Sequence, residues 1–394
     1  MIKTLTPKKR SRSMNSIHLL NIQQNKRFSN LIECLCEVTD CRIERCKKHD
    51  LINILMISIC AILGGANNIV AIAQFGEDHC EWFDAFLDLR NGIPSHDTFS
   101  CVFERIHPKE LQFWLWIWLE GASSEIPEHI SIDGKVLKAY ASKNPLCIVR
   151  AWVHELQMVA CSVKVRKKTN EIKAIPEILE LLNLKGKIVT IDAIGAQKDI
   201  VKIIRRRGAE YLLVLKGNQH QFYKDVRDFM VDVSEENFEN VYYTYYKTKD
   251  KNHGRYEIRE CWSTEQINWL EQKREWKDLK SISMIKSTVT RNGKITISRR
   301  CFISSLPADA KKILSLVRAH WNIENQLHWG LDTDFCEDKS TIRKGHGPLN
   351  VSLIRSLGIT LLKNSPINRS IQGKRALITC NLGALWKTLL NWAF

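Results

Sequence analysis

Two aspartates follow short apolar runs that are typical of β-strands. Asp133 lies in the stretch SIDGK, and Asp192 lies in VTIDAIG. A carboxylate at the edge of an apolar core is costly unless something compensates its charge. If the two strands are neighbours, both carboxylates meet at one sheet edge, and open α/β sheets bind ligands at such edges. Their mutual repulsion then calls for a cation, and oxygen ligands suit Mg²⁺ or Mn²⁺.

A simpler interpretation of each aspartate stays open. Asp133 can begin a turn with Gly134, and Asp192 can cap the helix that follows it. Each role satisfies one carboxylate without a ligand. The two acids together, in this order of strands and in a strongly basic chain, favour the cation site.

The segment RAHWNIENQLHWGLD, residues 318–332, concentrates aromatic and ionisable residues. Its apolar spacing predicts a helix that begins near residue 310. Laid across the sheet, this helix would present Glu324 to the two aspartates as a third carboxylate, and Asp332 follows eight residues later. We expect Leu327 and the two tryptophans of the segment to anchor the helix, and His328 to support it.

The chain is strongly basic. Lys and Arg number 59 against 43 Asp and Glu in 394 residues, a formal net charge of +16. This surplus favours a polyanionic partner, with nucleic acid ahead of an acidic membrane surface. Structural RNA-binding proteins share such a charge, so composition indicates a class of partner and no reaction. It argues against a paired-carboxylate glycosidase, whose sugar substrate is neutral.

Three further patterns favour ordinary structure over function. The 13 cysteines are an odd number, and reduced thiols in a cytoplasm are their simplest interpretation. The uncharged stretch 51–75 is interrupted by GGANN, which predicts two buried helices joined by a turn and not a membrane span. One group of potential metal ligands is spaced too irregularly to predict a zinc site: Cys34, Cys36, Cys41, Cys46 and His49.

Periodicity and turn signals predict an α/β protein. After a helical start, the order strand, strand, strand, helix, strand, helix, strand is that of a ribonuclease H-like mixed sheet. The predicted parts are a basic disordered tail at 1–28, a helical N-terminal domain at 29–125, an α/β domain at 126–219 and 301–365, a β-rich insertion at 220–300, and a helical C-terminal tail at 366–394.

Several motifs occur in order over residues 35–363: GIPSHDTFSCVF, IDGKVLKAY, TNEIKAIPEILELL, VTIDAIGAQ, YLLVLKGNQ, HGRYEIR, FISSL and HWNIENQLHWGLDTDFCED. With these motifs the chain resembles the ISAs-type insertion-sequence transposases. That group includes the H-repeat-associated proteins and belongs to the DDE transposase superfamily. His320 and Leu331 stand where related transposases with an inserted β-domain have Arg and Lys. No departure from the family pattern removes a carboxylate.

The resemblance implies a ribonuclease H-like catalytic domain in which Asp133, Asp192 and Glu324 bind two Mg²⁺ or Mn²⁺ ions. It implies metal-dependent cleavage and strand transfer of double-stranded DNA, with at least a homodimer in the synaptic complex. An insertion between the second Asp and the Glu is a known variant of the superfamily. The resemblance also implies a cytoplasmic, nucleoid-associated protein without a membrane segment.

Phosphate contacts would fix the register of DNA without reading its sequence. The expected contacts are Lys135, Lys138, Lys216, Asn218, Gln219, Arg255, Arg318, His320, Arg343 and Lys344. A simple turn at Gly217 and Asn218, and a solvated strand face around Arg255, are the alternatives at those positions. Two other functions stay open: a DNA-binding transposase relic that has lost catalysis, and a metal-dependent nuclease without strand transfer.

Overall fold

The computed structural model describes residues 26–120, 128–137, 146–165, 171–235, 241–252 and 254–390. Most of the predicted basic tail lies outside the described residues, as does Lys138 among the expected DNA contacts. In the part of the chain that is described, no helix is long and apolar enough to cross a membrane.

The N-terminal part is helical, as predicted. Its helices are α1 (Lys26–Cys36), α2 (Leu51–Leu63), α3 (Ile69–Asp78), α4 (Cys80–Asp84), α5 (His96–Arg105) and α6 (Pro108–Glu120). The apolar stretch 51–75 contains α2 and the start of α3, with a turn between them. Ser95 caps α5 by accepting a hydrogen bond from the Thr98 N–H at 3.4 Å.

One mixed sheet follows, in the order β3-β2-β1-β4-β5-β9-β8-β7-β6. Its strands are β1 (His129–Leu137), β2 (Leu146–Val153), β3 (Met158–Lys164), β4 (Ile188–Ile191), β5 (Glu210–Leu215), β6 (Thr244–Asn252), β7 (Arg255–Thr264), β8 (Ser281–Arg291) and β9 (Lys294–Ser304). Strands β1, β4 and β5 are parallel, and β2 and β3 are antiparallel to their neighbours. The helices α7 (Glu171–Leu181) and α8 (Lys198–Arg206) make the crossovers. The predicted α/β class is confirmed.

The β-rich segment extends this sheet and does not form one of its own. After α9 (His220–Ser234), strands β6 to β9 form an antiparallel ribbon. Strand β9 then pairs with β5, with Leu213 beside Ile303. The predicted boundary between residues 300 and 301 therefore falls inside β9. A local pattern cannot reveal this pairing, because the two strands are separated by most of the ribbon.

The helix that was predicted to begin near residue 310 is divided into three segments. The α-helix α10 (Ala310–His320) is followed by a π-helical turn (Ile323–His328) and by α11 (Trp329–Thr333). The Trp329 N–H bonds to the Glu324 carbonyl five residues earlier, which is the hydrogen bond of a π-helix. The wider turn changes the direction in which Glu324 points relative to a continuous α-helix.

The remaining helices of the described residues lie near the C-terminus and pack against the N-terminal helices. They are α12 (Gly347–Lys363), α13 (Ile371–Cys380) and α14 (Leu382–Leu390). Helix α12 is buried from residue 347 to 362, and its Asn350 amide donates to the Phe103 and Ile106 carbonyls at 2.8 and 2.9 Å. These bonds satisfy both N–H groups of the buried amide and two carbonyls at the end of α5. The N-terminal helices, the sheet and α12 thus share one apolar core.

Candidate active site

Asp133 and Asp192 lie on neighbouring parallel strands. Ile132 of β1 lies beside Ile191 of β4, and an aspartate is the next residue in each strand's direction. The adjacency predicted from the sequence is therefore present. Asp192 also caps the short turn after β4, because its Oδ1 accepts from the Ile194 N–H at 3.1 Å. Asp133 begins no turn, since β1 continues through it to residue 137.

Glu324 lines the same pocket as the two aspartates. The pocket wall consists of Asp133, Thr190, Ile191, Asp192, Leu212, Val214, Lys216, Arg300, Phe302, Val317, His320, Trp321 and Glu324. Within the described residues, no group of three or more His, Cys, Asp and Glu side chains is already arranged as the ligands of a metal ion. The three acids share a pocket without forming a preassembled metal site.

The Asp133 carboxylate carries the clearest electrostatic signature of the pocket. Burial raises its pKa to about 7, and repulsion from Asp192, Glu324 and Glu171 adds to the rise. A hydrogen bond from the Gly134 N–H at 2.9 Å opposes it. A carboxyl group whose pKa lies near 7 is typical of functional sites. A cation bound beside it would offset the repulsion among the carboxylates.

Neutral histidines lie beside the carboxylates. The His328 Nδ1 lies 3.6 Å from Asp133 Oδ2, and burial lowers the His328 pKa well below its ordinary value. His320 shares a hydrogen bond of 2.9 Å with the Thr190 hydroxyl, and burial lowers its pKa to about 4. Both imidazoles are therefore uncharged at neutral pH, so His320 carries no positive charge with which to attract a phosphate.

Lys135 is held inside the protein. It lies two residues after Asp133 on β1, and its Nζ contacts the Asp332 carboxylate and lies 3.4 Å from Glu337 Oε2 and 3.9 Å from Asp338 Oδ1. The same ammonium donates to the His328 carbonyl at 3.5 Å. This lysine ties β1 to the segment that follows Glu324, so its charge is already matched by carboxylates.

The other expected DNA contacts fall into two groups. Asn218 and Gln219 hold the loop after Asp192, because their amides donate to the Ala193 and Ala196 carbonyls at 2.7 and 3.0 Å. The second group is exposed at the surface: Lys216, Arg255, Arg318, Arg343 and Lys344. Lys216 alone of this group lines the pocket. Arg255 pairs with Glu257 at 2.7 Å, and Arg318 with Asp250 at 3.2 Å.

The prediction of which residues anchor the segment 318–332 is only partly correct. Leu327 is fully buried, but Trp321 and Trp329 are 37% and 61% exposed. Trp321 instead stacks on the Arg300 guanidinium, 4.4 Å from its ring centroid, at the rim of the pocket. No local pattern indicated Arg300, because only distant strand pairing brings β9 to this helix.

Two acids of the site region were also not identified from the sequence. The Glu171 carboxylate lies against Gly134, where an added Cβ would meet it at 2.3 to 2.6 Å. Glu337, inside the FCED motif, is fully buried and bonds to Arg150 at 2.6 Å. Both lie far along the chain from the residues they meet, and only their membership of the quoted motifs could have drawn attention to them.

Comparison with known proteins assigns the chain to a family. Residues 127–350 match the family described as "Transposase DDE domain", and residues 32–119 match "DDE_Tnp_1-associated". The chain is 34% identical over 365 residues to "Putative transposase YncI" of Escherichia coli O157:H7, covering 90% of this chain and 93% of that protein. It is also 34% identical over 352 residues to "H repeat-associated putative transposase YhhI" of Escherichia coli K12, covering 86% and 92%. A piggyBac transposase synaptic complex with hairpin DNA aligns over 95% of this chain and 80% of that one, at a TM-score of 0.41 and 9% identity. The chain belongs to the DDE transposases, in the H-repeat-associated group that its motifs resemble.

Proposed function

We propose that this transposase cleaves DNA strands and transfers them at a site formed by Asp133, Asp192 and Glu324, with two divalent metal ions. The observation that carries the proposal is the β1–β4 register, which sets the two aspartates side by side in the pocket that Glu324 lines. Family membership supports DNA as the substrate and divalent ions as cofactors. The strand order 3-2-1-4-5 with antiparallel β2 supports a ribonuclease H-like core.

The residues of the pocket fit hard divalent cations. Its three acids supply oxygen donors, which Mg²⁺ and Mn²⁺ prefer. The repulsion that raises the pKa of Asp133 is relieved when a cation binds between the carboxylates. In their bound state such ions stabilise the attacking and leaving oxygens of a phosphoryl transfer. Asp133, Asp192 and Glu324 would hold them, and binding would draw the three side chains together.

The chain's other residues position the DNA backbone. Lys216 directly follows β5 and Arg300 lies on β9, and both line the pocket. A phosphate there would therefore meet two cations on the β5–β9 side of the aspartates. Neutral His320 would donate a hydrogen bond without competing with a metal ion for the acids. His328 lies beside Asp133, with its Nδ1 3.6 Å from Oδ2, and would limit the space open to that carboxylate. A synaptic complex needs two DNA ends, and we propose a homodimer on DNA in the nucleoid.

A cleavage assay tests the proposal. Purified protein is incubated with Mn²⁺ and linear DNA that carries both flanks of its gene. We expect nicking by the wild type, its loss in Asp192→Asn, and full nicking in Asp199→Asn, which changes an exposed carboxylate on α8. Equal nicking by Asp192→Asn would contradict the triad. Nicking without joined products identifies a nuclease, and binding without nicking identifies a relic.

A further inference from the structure

The tip of the β-ribbon places three cations directly opposite one another. In the antiparallel registers Arg255 of β7 lies beside Arg291 of β8, and Arg291 lies beside Lys294 of β9. Directly paired residues project to the same face, with their Cβ atoms about 5 Å apart, and like charges in such pairs destabilise a sheet. The like charges of this cationic rung (Arg255, Arg291 and Lys294) therefore destabilise the ribbon in the isolated protein. A bound polyanion would remove this repulsion.

The rung is rigidly built and exposed. Arg291 and Lys294 flank a two-residue turn, Asn292-Gly293, in which both residues have positive φ, 50° and 74°. This is the type I′ geometry that matches the twist of a hairpin, so the two flanking residues are held in register. Both side chains are exposed, and among the described residues neither is paired with a carboxylate.

The face that carries the rung leads to the active-site pocket. Side chains on one face of a strand alternate, so Lys294 and Arg300 of β9 point to the same side, and Arg300 lines the pocket. Six residues of strand span roughly 20 Å, the length of about six base pairs of duplex DNA. Two carboxylates lie between the rung and the pocket, and each is shared between two arginines. Glu257 pairs with Arg255 and Arg259, and Asp250 pairs with Arg259 and Arg318.

We propose that the cationic rung binds the phosphate backbone of the DNA duplex whose scissile strand enters the pocket, about six base pairs from the point of cleavage. The inference rests on the proposed function for the identity of the duplex. It adds a second contact region, which sets the direction in which the duplex leaves the pocket. An acidic protein would also suit the charges, but the continuity of this face with the pocket favours DNA.

The opposite face of the ribbon offers a matched control. Lys249 and Lys251 of β6 are exposed at a similar distance along the ribbon, and their register partners Ile258 and Tyr256 place them on the other face. The Lys249→Gln/Lys251→Gln variant therefore removes two positive charges from the same ribbon without touching the rung. A second control, Arg291→Lys/Lys294→Arg, keeps both charges of the rung and exchanges their side chains.

Binding is measured by fluorescence anisotropy with a random-sequence duplex of about 30 base pairs, three helical turns, in EDTA and over a series of salt concentrations. For Arg291→Gln/Lys294→Gln we expect the slope of log K against log salt to shrink by about 2, since each phosphate contact contributes about 0.9. Both controls should keep the wild-type slope. We expect the unfolding temperature of the glutamine variant to be unchanged or higher, because like-charge repulsion is removed.

An unchanged slope in Arg291→Gln/Lys294→Gln, or an equal fall in the Lys249→Gln/Lys251→Gln control, would overturn the proposal. The assay contains no metal and measures no cleavage, so it is independent of the triad. Asp192→Asn should keep the slope of the wild type while it abolishes nicking. If the wild type does not nick DNA but the slope falls as expected, the proposed function fails and the rung stands as a duplex-binding surface.

Discussion

Arg150 lies directly opposite Asp133 in the register of β1 and β2, yet its guanidinium donates to Glu337 at 2.6 Å and makes no hydrogen bond to the aspartate. Arg150 and Glu337 are both fully buried, and the Ser352 hydroxyl of α12 bonds to both. Burial alone would raise the pKa of Glu337, but Arg150, Lys135 and Arg355 lower it below its ordinary value. The cation that pairs with Asp133 in the sheet register is thus neutralised from elsewhere, which leaves the aspartate free for the metal ion of the proposed site.

Breaking the Arg150–Glu337 pair should strongly destabilise the protein. Arg150→Met leaves the Glu337 carboxylate buried without its main partner, and we expect the free energy of unfolding to fall by about 3–5 kcal/mol. Urea unfolding measures the change. The exposed pair Arg206–Glu180 is the control, where Arg206→Met should cost less than about 1 kcal/mol. A similar loss in both variants would show that burial does not distinguish them.

Substitution of Lys135 tests whether this lysine stabilises the fold or contacts DNA. Because its ammonium is held by Asp332, Glu337 and Asp338, Lys135→Met should lower the free energy of unfolding by about 1–3 kcal/mol. The salt dependence of DNA binding should stay that of the wild type. Lys216→Met is the contrasting variant, since Lys216 is exposed at the pocket. It should reduce the salt slope by about 0.9 with little loss of stability. A reduced slope in Lys135→Met would instead make this lysine a phosphate contact.

Asp133 should make stability depend on pH. Its pKa rises from 3.8 to about 7 on folding, so the unfolded chain ionises first as the pH increases. Stability is therefore lost between about pH 4 and pH 7, by up to a few kcal/mol, and stays low above that range. Asp133→Asn removes the loss: it should match the wild type near pH 4 and unfold at a higher temperature than the wild type at pH 8 in EDTA.

Metal addition completes this experiment. At pH 8, Mg²⁺ should raise the unfolding temperature of the wild type and have a much smaller effect on Asp133→Asn, because a cation offsets the charge that the variant lacks. Asp199→Asn, at an exposed carboxylate of α8, should follow the wild type at every pH and in both metal conditions. If Asp133→Asn is the less stable protein at pH 8, the carboxylate is not under the repulsion described for it.

The sequence was sufficient to predict the neighbouring aspartates, because each follows a local apolar run and the order of strands and helices makes those runs adjacent. It did not predict the contacts that depend on distant pairing. The β5–β9 pairing brings Arg300 to the pocket, and the Arg150–Glu337 bond joins residues 187 positions apart. The π-helical turn at Glu324 was also missed, since its apolar spacing is close to that of an α-helix and its geometry is set by tertiary packing.

That turn separates two residues which the sequence had grouped together. Leu327 is fully buried in the main core, whereas Trp329 is 61% exposed. Leu327→Ala should therefore lower the free energy of unfolding by about 2–5 kcal/mol through the lost apolar contacts and the cavity. Trp329→Ala should change it by less than about 0.5 kcal/mol, the usual range of surface substitutions. Urea unfolding of the two variants compares them directly, and a larger loss at Trp329 would mean that the segment is an ordinary α-helix with its aromatic side chains packed inward.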